Sequence, residues 1–156
     1  MPVRLAHRAF DPQAEQAAFA AGRTDAGALV GFVGYCRART GGQITESLFL
    51  DHYSPFTENE IARICADVSA RYELLDVLVI HRVGMMKPGD AIVLVAALSA
   101  HRNHAFEAVR ILMDYLKTDA PLWKKESGPG GARWIEPGTE DHARRAAADR
   151  GSDERH

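Results

Sequence analysis

Cysteine is scarce in this chain, with Cys36 and Cys65 the only two in 156 residues. Two thiols at unrelated positions build no disulfide framework, so a reducing cytosol is the expected compartment. Long apolar runs are missing too, and none approaches the roughly 20 residues that a membrane-spanning helix needs. The opening residues, MPVRLAHRAFDP, hold no apolar stretch of the signal-peptide kind, and no secretory leader is expected. Neither sign of charge dominates. A formal net charge of −2 argues against a general nucleic-acid binder, which would carry a basic excess. Nor do the histidines form a ligand set. His101 and His104 are three apart, but no carboxylate or cysteine accompanies them at a recognisable spacing, so no metal site is expected. What is present, 46% hydrophobic and 26% charged residues, is the composition of a globular domain, and the length suits one domain with a sizeable core.

Along the chain, apolar periodicity changes several times. Residues 3–7 suit a short strand, and Asp11-Pro12 reads as a helix cap followed by proline at the first helical position, with Gly22 closing the helix. Residues 26–36 are strand-like and lead into a basic, glycine-containing segment, 37–42, expected to be a mobile loop. Residues 47–53 alternate as a half-buried strand does. Ser54-Pro55 opens a long helix to about residue 72, with Ile61, Ile64, Cys65 and Val68 on one face. Two further strands, 76–83 and 91–98, flank the turn chemistry of Lys87-Pro88-Gly89-Asp90. A third helix carries Ala105, Phe106, Val109, Leu112, Met113 and Leu116 at helical offsets. Residues 122–126 and 132–136 then read as a hairpin around a glycine-rich turn. From residue 138 to 156 the chain is polar and alanine-rich, and a disordered or frayed helical tail is expected. This order of strands and helices points to an α+β domain over residues 1–137.

The segment 99–126 draws most attention because it gathers cationic or protonatable groups at the ends of elements. His101 and Arg102 follow the buried strand, Lys117 ends the third helix before Pro121, and Lys124 and Lys125 follow Trp123. That distribution suggests a pocket for an anion. Each residue also has an ordinary reading. A last-turn lysine such as Lys117 interacts favourably with the helix dipole, worth about 0.3–1 kcal/mol when exposed. His101 and Arg102 could be a plain helix entrance, or a phosphate site built from backbone N–H groups and a guanidinium fork. If the chain reverses at Pro121, Lys117 and Lys124 meet, and two ammonium groups in one pocket lower at least one pKa. Trp123 and Trp134 are expected to pack across the hairpin and hold Lys124 in place. His81 reads as a satisfied core or interface histidine.

The same residues carry a family resemblance. S-A-H-R, then A-F-E-A, then M-D-Y-L-K-T-x-A-P-x-W-K is similar to the large, catalytic subunit of molybdopterin synthase. Gly34-Tyr35-Cys36-Arg37, His52-Tyr53, Ile80-His81-Arg82-Val83-Gly84, Pro88-Gly89-Asp90 and Arg133-Trp134-x-Glu136 match further motifs in order, from about residue 3 to residue 136. The resemblance implies an α/β-hammerhead fold with a small antiparallel β subdomain. It implies a sulfurtransferase that converts cyclic pyranopterin monophosphate to molybdopterin without a cofactor or metal. The sulfur would come from the C-terminal thiocarboxylate of a small ubiquitin-like partner subunit, in a heterotetramer built on a homodimer. By the same matching, Lys117 and Lys124 are the catalytic pair. Tyr35, Cys36, Arg37, His101, Arg102, Lys125 and Glu126 contact substrate, His101 and Arg102 across a dimer interface if not within one chain. The family usually has valine where Cys36 stands, so Cys36 is read as a small apolar substitute rather than a persulfide carrier. The alternatives are a non-catalytic module that binds a phosphorylated metabolite, and an interaction protein that keeps only the partner groove.

Overall fold

A computed structural model of the chain describes residues 2–153. Strand β1 (Val3–Ala6) leads to helix α1 (Pro12–Ala20), whose start is set locally: the Asp11 carboxylate accepts the N–H groups of Gln13 and Ala14 at 3.0 and 3.2 Å. Two donors that a helix start leaves unpaired are thereby satisfied, and Pro12 lacks an N–H that would have had no partner. Next come β2 (Ala28–Tyr35), β3 (Arg39–Thr40), β4 (Gln43–Ile44) and β5 (Ser47–His52). Residues 37–42, expected to be a mobile loop, instead hold the tight turn of the β3–β4 hairpin. Gly41 and Gly42 both take positive φ, 58° and 81°, which matches strand twist and which glycine adopts without a Cβ penalty.

Helix α2 (Phe56–Arg71) begins just after Ser54-Pro55, and Pro55 occupies the cap without a side-chain cap bond. Its entrance is secured by buried Thr57, whose hydroxyl accepts the Tyr53 N–H at 2.8 Å and donates to the Pro121 carbonyl at 2.9 Å. The remaining elements are β6 (Asp76–Arg82), β7 (Gly84–Met86), β8 (Ala91–Ser99), α3 (Arg102–Thr118), β9 (Leu122–Gly128), β10 (Gly131–Ile135) and α4 (Thr139–Asp153). The three-residue β7 is too short to show a period, which is why the pattern-based reading passes over it.

Two sheets organise these elements. One has the order β1-β6-β8-β2, with β1 parallel to β6 and the other pairs antiparallel; the second, β10-β9-β5-β7, is antiparallel throughout. This is the α+β arrangement expected, an α/β-hammerhead with a small antiparallel subdomain. Strand β8 has both faces covered, so it reads as an unbroken apolar run. Val93, Val95 and Ala97 join Val77 and Val79 of β6 beneath α2 and α3, while Leu94 and Ala96 join Ile80 on the opposite face near Phe10 and Phe19. The segment from residue 139 to 153, expected to be disordered or a frayed helix, forms α4 against α3. Ala148 is buried there, Tyr115 donates to Asp149 at 2.7 Å, and Arg145 reaches Asp119 at 3.0 Å. The expected tail beyond this helix, 154–156, lies outside the described residues.

Candidate active site

Lys117 sits in the last turn of α3, and Pro121 two residues past the helix cap turns the chain into β9. The Thr57 hydroxyl holds the Pro121 carbonyl, so the reversal is anchored to α2. Lys124 is three residues into the turn's exit and pairs with Leu50 of β5 and Ile135 of β10. Strand alternation then points Leu122, Lys124 and Glu126 inward. Lys117 and Lys124 consequently line one cavity of about 290 Å³. Burial lowers the Lys124 pKa, the Lys117 ammonium lowers it further, and the Asp141 and Glu126 carboxylates oppose the shift. The convergence on which the anion-pocket expectation depends is therefore present.

The cavity's opposite wall comes from the end of β2 and the hairpin after it. Tyr35, Cys36, Arg37, Thr40 and Thr45 line it, with Glu126 from β9. Cys36 is fixed at the backbone, its N–H donating to the Asp90 carbonyl at 2.9 Å and its carbonyl accepting the Gly89 N–H at 2.8 Å. The Pro88-Gly89-Asp90 turn thus serves to hold this corner of the site. The Cys36 thiol is buried, and burial together with Asp90 and Glu126 pushes its pKa up. Arg37 is exposed at the mouth, and Tyr35 is half exposed beside it. Glu126 is held by Arg133 at 3.1 Å, and Arg133 also bonds Gln43, which pins the β3–β4 hairpin to the same wall.

Three expected site residues lie elsewhere. His101 and Arg102 stand exposed at the start of α3, fifteen residues before Lys117. At about 1.5 Å of rise per residue the two ends are roughly 22 Å apart, too far to share one chain's cavity. His101 makes no side-chain cap bond; the Ser99 hydroxyl instead accepts the His101 N–H at 3.1 Å and donates to its carbonyl at 2.9 Å. Lys125 points to the other face of β9, with its ammonium 5.7 Å from the centre of the Trp134 ring. Trp123 and Trp134 share that outer face and are 48% and 56% exposed, so they do not pack against Lys124. The period of two in a strand places neighbours on opposite faces, and the two tryptophans went with Lys125.

Sequence patterns passed over three charged or titratable residues of the cavity, His81, Glu136 and Asp141. His81 of β6 lines it, buried, with its ring Nδ1 2.8 Å from the Arg82 carbonyl. Burial, opposed by that hydrogen bond and reinforced by Lys124, lowers the His81 pKa to about 4. Asp141 of α4 lines the rim; burial opposes its ionisation, but Arg144, the Gly138 N–H and Lys117 hold its carboxyl below the ordinary range. His81 stands in the Ile80-His81-Arg82-Val83-Gly84 motif, but its neighbours in the cavity come from segments distant in the sequence. Asp141 belongs to a segment whose composition gives no hint of packing.

Residues 5–119 match the family model described as MoaE protein. A molybdopterin synthase catalytic subunit from Caulobacter vibrioides is 48% identical over 141 residues, covering 90% of this chain and 93% of the relative. One from Pseudomonas aeruginosa is 44% identical over 143 residues, covering 92% and 95%. Among solved structures, a molybdopterin biosynthesis MoaE protein from Burkholderia ambifaria superposes with a TM-score of 0.78 at 40% identity, covering 96% of this chain and 97% of that one.

Proposed function

This chain belongs to the MoaE protein family and is a catalytic subunit of molybdopterin synthase; we propose that Lys117 and Lys124 carry its chemistry. The observation that supports this most is the shared cavity, in which one lysine is half-buried and the other sits at a helix end. The substrate in this reading is cyclic pyranopterin monophosphate, and the sulfur donor is the C-terminal thiocarboxylate of a small ubiquitin-like partner subunit. Both are anions. Bringing them together in a cavity partly shielded from water is repulsive unless cations are already in place. Lys117, exposed at the rim, receives the thiocarboxylate and assists proton transfer. Lys124, deeper and holding its proton less firmly, stabilises charge that develops as the phosphate ring opens. Arg37 at the mouth contacts the pterin phosphate, with Tyr35, Cys36 and Glu126 forming the wall against which the pterin rests.

His101 and Arg102 fit this reading through a second copy of the chain. Edge strand β2 leaves Leu29 and Phe32 exposed, and the start of α3, which packs against β2, leaves Phe106 exposed beside the two cations. Apolar side chains left bare at one edge suit a homodimer in which each copy extends His101 and Arg102 toward its neighbour's cavity. We place the reaction in the cytosol, in keeping with two free, buried thiols.

The test is reconstitution with the pterin precursor and the thiocarboxylated partner. Lys117→Ala is expected to reduce dithiolene product below detection while melting temperature and partner affinity stay close to wild type. Near-normal turnover by that variant would remove Lys117 from the mechanism. A wild-type chain that binds the pterin and gives no product would instead favour the non-catalytic anion-binding module.

A further inference from the structure

His81 is an odd choice for its position. It lies in the middle of the β1-β6-β8-β2 sheet, paired with Leu5 on one side and Val93 on the other, and is only 6% exposed. The residues that alternate with it on the same face of β6, Val77 and Val79, are plain core. An apolar side chain would fill the site without the cost of burying a polar ring. The Arg82 carbonyl explains half of the ring: a carbonyl oxygen can only accept, so Nδ1 carries the proton and donates it over 2.8 Å. In the neutral ring that leaves Nε2 with a lone pair, for which no hydrogen-bond partner is present among the described residues. The free edge of the ring faces the cavity shared with Lys117, Lys124 and Cys36.

We propose, building on the reading of Lys124 above, that His81 is a positioning residue for Lys124, presenting an uncharged hydrogen-bond acceptor on the cavity wall beside its ammonium. The groups around Lys124 come from four elements: Lys117 from α3, Glu126 from its own strand β9, Asp141 from α4 and His81 from β6. Two of these are carboxylates already engaged by arginines, Glu126 by Arg133 and Asp141 by Arg144. His81 can therefore orient the amine through Nε2 without adding a negative charge that would hold the proton back. Its neighbour Arg82 is turned away, its guanidinium donating to the Met85 carbonyl at 2.8 Å. The buried ring stays neutral because burial and the Lys124 charge both resist a second proton.

Two isosteres separate this role from a structural one. His81→Asn retains a donor for the Arg82 carbonyl but withdraws the acceptor from the cavity, whereas His81→Gln extends an amide to the position of Nε2. In the reconstituted synthase, His81→Asn is expected to lower the single-turnover rate about a hundredfold, the scale of a reacting group misplaced by about an ångström. The KM for the pterin and the melting temperature should hold, and His81→Gln should recover most of the lost rate. His81→Glu is expected to raise the midpoint of Lys124 amine labelling, read by mass spectrometry, and the alkaline limb of the rate profile together by about one pH unit. A His81→Asn enzyme with wild-type rate and pH profile overturns the proposal, and so does a folded His81→Glu enzyme in which neither midpoint moves. Should the glutamate variant fail to fold, the asparagine and glutamine pair decides. Lys124→Ala is run beside them. Wild-type turnover there would overturn both the assignment of Lys124 and this proposal, whereas loss of turnover there with an unaffected His81→Asn enzyme sinks only the role of His81.

Discussion

Cys36 shows how much a residue's chemistry depends on what surrounds it. Beside Arg37 in the sequence it could pass for an activated thiol. In the fold it is buried, and Asp90 and Glu126 are the charges near enough to act on it. All three influences favour the protonated thiol, the form that is a poor nucleophile. Cys36→Val is accordingly expected to turn over within about twofold of wild type in a product assay, as a volume-conserving apolar swap should. Loss of activity, together with a persulfide on the wild-type thiol, would contradict this. His81 offers a second residue-level expectation, in stability rather than rate. The unfolded chain takes up a proton at this ring near pH 6.5, while the native chain resists until about pH 4. The unfolded state binds more protons between those values, so native stability falls as pH drops through the window, by about 3 kcal/mol in total. Urea denaturation of wild type and His81→Gln between pH 7 and pH 4 should show this acid loss shrinking in the variant.

At the level of elements, the site depends on a small hairpin clasped to a larger one. The Glu46 N–H donates to the Ser127 carbonyl at 2.9 Å, and Arg133 bonds both Gln43 and Glu126. Gly128 permits this close approach: a Cβ at that position would lie 2.1 Å from the Ile44 carbonyl oxygen, a backbone atom that cannot swing aside. Gly128→Ala should therefore push β3–β4 away from β9. The expected cost is about 1–3 kcal/mol, the range for forced overpacking. Because Thr40, Thr45 and Arg37 move with the hairpin, KM for the pterin should rise while Lys124 labelling changes little. Equal KM and melting temperature in the variant would show that the hairpin does not need this contact.

For the molecule as a whole, the last helix joins the catalytic domain instead of trailing from it. Arg71 donates to the Tyr115 hydroxyl at 3.0 Å and to the Ala148 carbonyl at 3.0 Å, and Arg145 grips Asp119. Removing residues 138–156 would uncover this network and is expected to cost about 1–2 kcal/mol, or roughly 3–6 °C in melting temperature at this chain length. We propose that residues 1–137 are nonetheless the catalytic unit, because Arg37, Lys117 and Lys124 all precede the truncation. Product formation by the shortened chain at 25 °C checks this. Complete loss of turnover in a folded truncation would assign α4 a part in the chemistry.

Local signals carried the elements well. Asp11-Pro12 announced α1, the apolar spacing of residues 105–116 announced α3, and Pro121 announced the reversal that returns Lys124 toward Lys117. These succeed because caps, turn residues and periodic burial act over a few residues, a range that the order of side chains alone can specify. Motif order extended that reach to the family and to the lysine pair. Facing was harder. A one-residue difference sent Lys124 into the cavity and Lys125 onto Trp134, and a seventeen-residue helix carried His101 and Arg102 to its far end. His81 and Asp141 entered the site through contacts between segments distant in the chain, β6 with β9 and α4 with α3. Such neighbours arise when sheets and helices pack to exclude water, a long-range event in which geometry, not spacing along the backbone, chooses who meets whom.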